Sequence, residues 1–376
     1  SSQQTTNITI KNCRVSDWDG ANIYLRYANG NTLENITTYS SPDYGIYLYT
    51  SDFNTLSNIT TYSNYDGIYL YYSDFNTLIN VTATNNSFIG IFIYWYANNN
   101  TVKGCRVTNS PGYGIYLQLN NNNRILDCEI TNNNVGIYFY TAANNNTVTN
   151  CTIAHNSEGV VLNQASLNII NGSRIYANSN HGIRLEDAGS DGPNLIYNNY
   201  FNNTNNFYFG GTIYPNSWNT TKQVGTRIYK FGNVIGGNFY AKPDGTGYSE
   251  TCTDSNRDGF CDSPYDVQHG DSDCSDSSNC DYLPLSTTNP IGDCYTIPPE
   301  AEGEAFYLIQ DIINSSASYC IDIQANNVTF DCQGHLIDGD DSASYGIYIY
   351  RSSQQTTNIT IKNCRVSDWD GANIYL

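Results

Sequence analysis

A repeat with a period near 23 residues limits what this chain can fold into. Gly45, Gly67, Gly90, Gly114, Gly136, Gly159 and Gly182 are spaced by 22, 23, 24, 22, 23 and 23 residues, and each opens a triplet with apolar ends. Asn31, Asn54, Asn76, Asn100, Asn123, Asn146 and Asn168 form a second column in step with the first. A fixed period of this length marks a solenoid, in which each unit buries its apolar face only against its neighbours. The units carry no 3.6-residue period. In Gly45-Ile46-Tyr47-Leu48-Tyr49, Ile46 and Leu48 point one way and Tyr47 and Tyr49 the other, as in a strand. Stacked units give one inward ladder of Ile46, Ile68, Ile91, Ile115, Ile137, Val160 and Ile183. Another holds Leu33, Leu56, Leu78, Val102, Ile125, Val148 and Ile170. The Leu-rich consensus and helical half of a leucine-rich repeat are absent. The expected fold is all-β, a right-handed parallel β-helix, its hand set by strand twist and crossover chirality. The Asn column is expected to take left-handed turns between strands, which Asn tolerates. Stacked at roughly 4.8 Å, each amide would donate to one neighbour and accept from the other.

Composition narrows the function. The 376 residues hold 54 Asn and 34 Tyr against 16 Lys+Arg and no Met. An aromatic content of 14% excludes a disordered acidic chain. A coiled coil would need far more Ala, Glu, Lys and Leu. No apolar run is long enough for a membrane helix. The formal net charge of −19 argues against nucleic acid, whose phosphates need Lys and Arg. Twelve Cys and many Asn-x-Ser/Thr sequons point to an oxidising extracellular setting at a cell surface. The chain opens in mid-pattern without a signal peptide, and is expected to be a processed piece of something longer.

A second repeat is long. Residues 1–25 recur without a change as 352–376, at an offset of 351. Chance does not produce 25 identical residues, so a tandem array of near-identical 351-residue units is expected. In the natural frame a unit starts near Cys294 and runs through 376, which is equivalent to 25. It continues as β-helix coils along 26–240 and closes over 241–285, with 286–293 read as the linker. A closing segment is needed because open coil ends expose unpaired strand edges.

The closing segment is rich in Asp and Cys. Asp254-x-Asn256-x-Asp258-Gly259 matches the start of an oxygen-ligand calcium loop, with a carbonyl from Phe260 and Asp262 at the ninth position. Tyr265 stands at the twelfth position where an EF-hand has Glu, with Asp266 beside it. A structural Ca2+ held by Asp254, Asn256, Asp258, Phe260, Asp262 and Asp266 is expected. The plainer alternative is an acidic loop held by disulfides alone. Expected pairs are Cys252 with Cys261, Cys274 with Cys280, Cys294 with Cys320, and Cys332 with Cys364, although spacing does not fix pairing. Metal and disulfides substitute for burial where a segment lacks a core. Cys105, Cys128 and Cys151 continue an inward column of Ile36, Ile59 and Val81, and are expected as buried thiols.

Sequons occur at Asn7, Asn35, Asn58, Asn80, Asn85, Asn99, Asn145, Asn150, Asn171, Asn202, Asn219, Asn314, Asn327 and Asn358. Asn35, Asn58 and Asn80 share a column, where glycans about 4.8 Å apart would crowd, so partial occupancy is expected. Tyr24, Tyr47, Tyr69, Phe92, Tyr116 and Tyr138 form an outward ladder, with Tyr49, Tyr71, Tyr94 and Tyr140 in a second. Such rings stabilise neighbouring strands, or offer a lateral face to another filament or a sugar polymer. Solenoid enzymes acting on polyuronates need clustered Asp, or Asp with Arg or Lys. Asp17, Asp19, Asp43 and Asp66 lie near the turn before the Gly column, and Asp52 and Asp74 repeat in SDFNTL segments. Repetition reads as a repeat consensus rather than an active site. His155, His181, His269 and His335 are scattered, and no catalytic residue is assigned.

These residues resemble the right-handed parallel β-helix repeat proteins grouped with NosD, the periplasmic copper-maturation protein, over nearly the whole chain. Cys320-Ile321-Asp322-Ile323 and Asn326-Asn327-Val328-Thr329-Phe330-Asp331-Cys332 look like that family's opening coil. Gly237-Asn238-Phe239-Tyr240, the Asp254–Asp262 loop, Ser263-Pro264-Tyr265 and Asp281-Tyr282-Leu283-Pro284-Leu285 look like its closing segment. The resemblance implies architecture, not activity. With no Met and four His, the chain offers few copper ligands. The first expected function is a structural repeat unit of an extracellular filament or cell-surface stalk. Its partners would be copies of itself, end to end and laterally, with N-linked glycans. A carbohydrate-binding adhesin is the second expectation, and a polysaccharide lyase or hydrolase the third.

Overall fold

The computed structural model describes residues 5–350 and 356–376. The first four residues of the long repeat, their counterparts and Arg351 lie outside the described residues. A regular coil holds three short strands, such as Thr77–Ile79, Thr82–Thr84 and Ile89–Tyr94. Each strand pairs in parallel with its counterparts one coil away. Leu78 faces Leu56 and Val102, and Ile91 faces Ile68 and Ile115. Alternation then sends every second side chain inward, and both expected apolar ladders are buried along their whole length. The chain is a right-handed β-solenoid. In two coils the first two strands merge into Thr32–Tyr39 and Thr55–Tyr62. The Gly column follows from close approach between coils: a Cβ on Gly67 would sit 2.5 Å from the carbonyl oxygen of Gly90.

The corners depart from the expected turn chemistry. The ladder Asn residues do not take the left-handed conformation. It falls one residue earlier, on Gly30, Phe53, Phe75, Asn99, Asn122, Asn145 and Leu167, with φ from 55° to 64°. The bend residue turns its side chain away from the core, which is why Phe53 (61% exposed) is tolerated there. The Asn after it faces inward, where a buried polar group must be paired. The backbone N–H and Nδ2 of Asn31 both donate to Oδ1 of Asn54, at 2.8 and 3.1 Å. Asn54 repeats this to Asn76, Asn76 to Asn100, Asn100 to Asn123 and Asn123 to Asn146. The ladder runs on through Asn168 and Asn194 to Asn216. A second buried column, unread in the sequence, links Asn133, Asn156, Asn178 and Asn203 at the next corner.

Beyond Gly210 the coils lapse until Phe239–Ala241 stacks on Tyr200–Asn202 as a last rung. One large core spans the coils up to this point, and a second begins at Ile291. A small cluster of Val234, Phe239, Ala241, Phe260 and Leu285 touches Tyr200 on one side and Ile309 on the other. The stretch 286–293 is not a free linker. Asn289–Ile291 is a buried strand paired in parallel with Ala305–Leu308. It is fixed because Asn233 donates its N–H to the Pro290 carbonyl and Phe231 donates its N–H to Asn289 Oδ1.

Candidate functional site

The closing segment is the most specialised part of the molecule. All four expected disulfides form, with Cα–Cα distances of 5.6 Å (Cys252–Cys261), 6.1 Å (Cys274–Cys280), 4.3 Å (Cys294–Cys320) and 4.8 Å (Cys332–Cys364). Cys13, Cys105, Cys128 and Cys151 are free thiols, the last three buried. The hydrogen bond with the Cys128 sulfur, and then burial, drive the Cys105 thiol far up from its ordinary range, and Cys105 and Cys128 each give their backbone N–H to the next sulfur.

In the loop, Asp254 accepts the N–H groups of Asp258 and Gly259, both at 3.0 Å, and the Ser286 hydroxyl at 2.6 Å. Asp258 accepts the Phe260 N–H and receives Lys222 Nζ at 3.0 Å. Asn256 donates Nδ2 to Asp258. Asp262 accepts the Ser255 N–H and hydroxyl, donors that hold its carboxyl below the usual range. Arg257 and Gly259 make the left-handed bends, with φ of 58° and 86°. Asp266 does not join this group. It is fully buried and accepts His269 Nδ1 at 2.7 Å and the Gln268 N–H, because its strand pairs with Cys280–Asp281 and turns it away. His269 is accordingly raised above its ordinary pKa by the Asp266 hydrogen bond. Among the described residues, Asp266, His269 and Asp276 are the one acid–imidazole trio whose ligand atoms lie within 4.8 Å of each other.

Two residues to which the sequence reading gave no role of their own, Asp281 within the family-like closing segment and Arg227, fix the segment in place. Asp281 is completely buried and accepts the Asn238 N–H, the Leu283 N–H and the Tyr240 hydroxyl, at 2.8, 2.9 and 2.8 Å. Burial pushes its carboxyl up to about 7. Arg227 is buried and donates to the carbonyls of Val234, Gly259 and Ser286, bolting the loop to the start of the next coils. Burial lowers its pKa to about 10. A lone Arg between Thr226 and Ile228 gives no sequence signal of this.

The remaining candidates stay apart. Asp74 donates its N–H to Asp52 Oδ1, and Asn98 donates its N–H to Asp74 Oδ1, both at 2.7 Å, so these Asp residues form a corner ladder. Asp66 accepts the Ile89 N–H, and burial lifts it to about 7. Asp17 and Asp19 are exposed. The outward rings do stack: Tyr24, Tyr47, Tyr69, Phe92, Tyr116 and Tyr138 follow at 4.8 to 5.1 Å between centroids. The stack covers itself, leaving Tyr69 only 8% exposed. In the second ladder Gln118 stands between Tyr94 and Tyr140. Asn58 donates Nδ2 to Asn35, and Asn80 to Asn58, so this sequon column is bonded to itself. Asn7, Asn85, Asn99, Asn145, Asn150, Asn314, Asn327 and Asn358 are exposed, whereas Asn171, Asn202 and Asn219 are half-buried.

Two family models match the chain. One, described as right handed beta helix region, matches residues 1–153. The other, described as periplasmic copper-binding protein (NosD), matches residues 139–245. No curated protein matches it in sequence. Among solved structures, pectate lyase Pel9A aligns at 15% identity over 55% of this chain and 69% of its own, with a TM-score of 0.45. The A-module of the Azotobacter vinelandii mannuronan C-5 epimerase AlgE4 aligns at 16% identity over 57% of each chain, with a TM-score of 0.40. The periplasmic alginate epimerase AlgG aligns at 12% identity over 96% of this chain and 75% of its own, with a TM-score of 0.40. Likenesses of this size carry no argument about activity. The family matches and the coil geometry make the chain a NosD-like right-handed β-helix protein.

Proposed function

We propose that the chain is a structural segment of an extracellular filament or cell-surface stalk, built from tandem β-helix units of 351 residues. The observation that carries this is the behaviour of the shared coil. In the copy within 1–25, Ile10 pairs with Leu33, Val15 with Thr38 and Tyr24 with Tyr47, all in coils that follow. In the copy within 352–376, Ile361 pairs with Phe330, Val366 with Ile337 and Tyr375 with Tyr348, all in coils that precede. One coil that takes a neighbour on either edge lets units follow each other without a free strand edge. The paired strand at 289–291 supports the same reading at the unit junction, as do the Phe231–Phe306 contact and Arg257 over the Tyr307 ring. Four disulfides fit an oxidising compartment.

Electron microscopy of the native material tests this. Ten rungs up to Phe239–Ala241 and three from Asn289–Ile291 to Thr329–Asp331 make one unit. At about 4.8 Å per rung, the expected axial repeat is roughly 60 Å plus the closing segment. A thin fibre with that period is the expected result. Isolated rods that release products from a polysaccharide would instead make the chain an enzyme. Within the filament reading, a Ca2+ held by Asp254, Asn256, Asp258, Asp262 and the Phe260 carbonyl stiffens the junction. Excess chelator is then expected to lower the melting temperature, and an unchanged melting curve removes the ion from the account.

A further inference from the structure

Repetition on this solenoid marks structure, so residues that interrupt it call for a different explanation. The third strands of the coils form one outward face. Its central column of rings, in register up to Tyr138, is interrupted at Val161, followed by Arg184 and Tyr208. The flanking columns change on the same two coils. Tyr113 and Val135 give way to Glu158 and His181, and Tyr140 gives way to Asn163 and Glu186. One ring is missing from the stack above Val161, and a cleft of about 290 Å³ opens there.

Val135 and Val161 line the cleft beside Tyr138, Glu158, Asn180, Arg184 and Glu186. Tyr138 forms one wall, and burial raises its hydroxyl pKa to about 12. Arg184 forms the opposite wall, lying over the Tyr208 ring at 5.7 Å and donating Nε to Glu186 at 3.0 Å. Asn163 spans the gap on one side, donating Nδ2 to Glu186 at 2.9 Å and to the Tyr138 hydroxyl at 3.4 Å. On the other side Glu158, 8% exposed, faces His181 Nδ1 at 3.0 Å and Asn180 Nδ2 at 3.5 Å.

We propose that this slot binds one neutral pyranose ring of a glycan, stacked on Tyr138 in the place of the missing ring. A pyranose fills one rung of about 4.8 Å and offers C–H faces to the Tyr138 ring and Val161. Its rim of hydroxyls both donates and accepts, which suits Glu158, Asn180, Arg184 and Glu186. An aromatic side chain has the thickness but leaves that rim unpaired. A uronate meets the carboxylates of Glu158 and Glu186, with Arg184 already engaged by Glu186, on a chain of net charge −19, and is repelled. The site stands whether or not the chain assembles into filaments.

Calorimetric titration of the whole chain with cellohexaose, mannohexaose, galactohexaose, fully acetylated chitohexaose and hexagalacturonate tests the proposal. At least one neutral probe is expected to bind with a Kd of roughly 0.1–1 mM, and hexagalacturonate not at all. Val161→Tyr completes the ring stack and is expected to weaken that binding about tenfold or more with the melting temperature retained. Arg184→Ala, at a partly exposed position, is the second variant and is expected to weaken it about threefold or more. No binding of any neutral probe, tighter binding of hexagalacturonate, or wild-type affinity in both variants would overturn the proposal.

Discussion

Residues 5–25 and 356–376 share one sequence and have opposite surroundings. Among the described residues the first copy pairs with coils that follow it, and the second with coils that precede it. Trp18 is 65% exposed, whereas its counterpart Trp369 is 8% exposed and donates Nε1 to the Ile337 carbonyl. Cys13 is a free thiol, and its counterpart Cys364 is bonded to Cys332. The relation reverses at the other edge. Leu25 is buried, while Leu376 is 80% exposed. Local conformation survives the change: Thr9–Lys11 and Arg14–Ser16 recur as the strands Thr360–Lys362 and Arg365–Ser367. Strand and bend are therefore local properties here, and burial belongs to the neighbour.

Paired substitutions test that division. The largest contrast is expected at the Trp pair. Trp369→Ala should cost about 3–5 kcal/mol by emptying a buried site, against less than about 0.5 kcal/mol for Trp18→Ala. Urea unfolding of the two variants measures it, and equal losses would show that both copies meet the same surroundings in solution. Next comes the disulfide. Cys364→Ser should cost roughly 2–4 kcal/mol and Cys13→Ser less than about 0.5 kcal/mol, read as separate melting shifts. The smallest contrast lies between inner and outer Asn stacks. Asn76→Ala strips the acceptor from two donors of Asn54 and should cost about 1–3 kcal/mol. Asn358, exposed and bonded only to Asn327 among the described contacts, should lose less than about 0.5 kcal/mol as Ala. Comparable losses would mean that solvent does not replace the outer bonds.

Much of the fold was legible because a solenoid repeats its reasons. Gly45 to Gly182 and the Ile and Leu ladders show a period that any stacking must obey. The second Asn column escaped because it is interrupted. Asn64 donates to Asn86 Oδ1, but Ser110 stands at the next position and gives its N–H to Asn133 Oδ1. The left-handed bend was placed one residue late, since Asn suits both bend and ladder, and only Phe53, Phe75 and Leu167 betray which position bends. Asp266 was read into the calcium loop from its place in the chain, and its strand pairing carries it to His269 instead. The residues 286–293 look like a linker because Pro and Gly break a pattern, yet Pro290 needs no donor where its carbonyl alone is paired.

The sequence alone determined the all-β solenoid and the ring and amide ladders, because each rests on a fixed period, whereas the closed structure decided which of the expected cysteine pairs form. Tertiary structure decided what singular residues do. Arg227, Asp281 and Glu158 occur once, carry no period, and gain their roles only from groups brought to them by coils and loops distant in sequence. A repeat can be read along the chain, since each copy restates the same contacts. A contact made once is fixed only when the chain has closed around it.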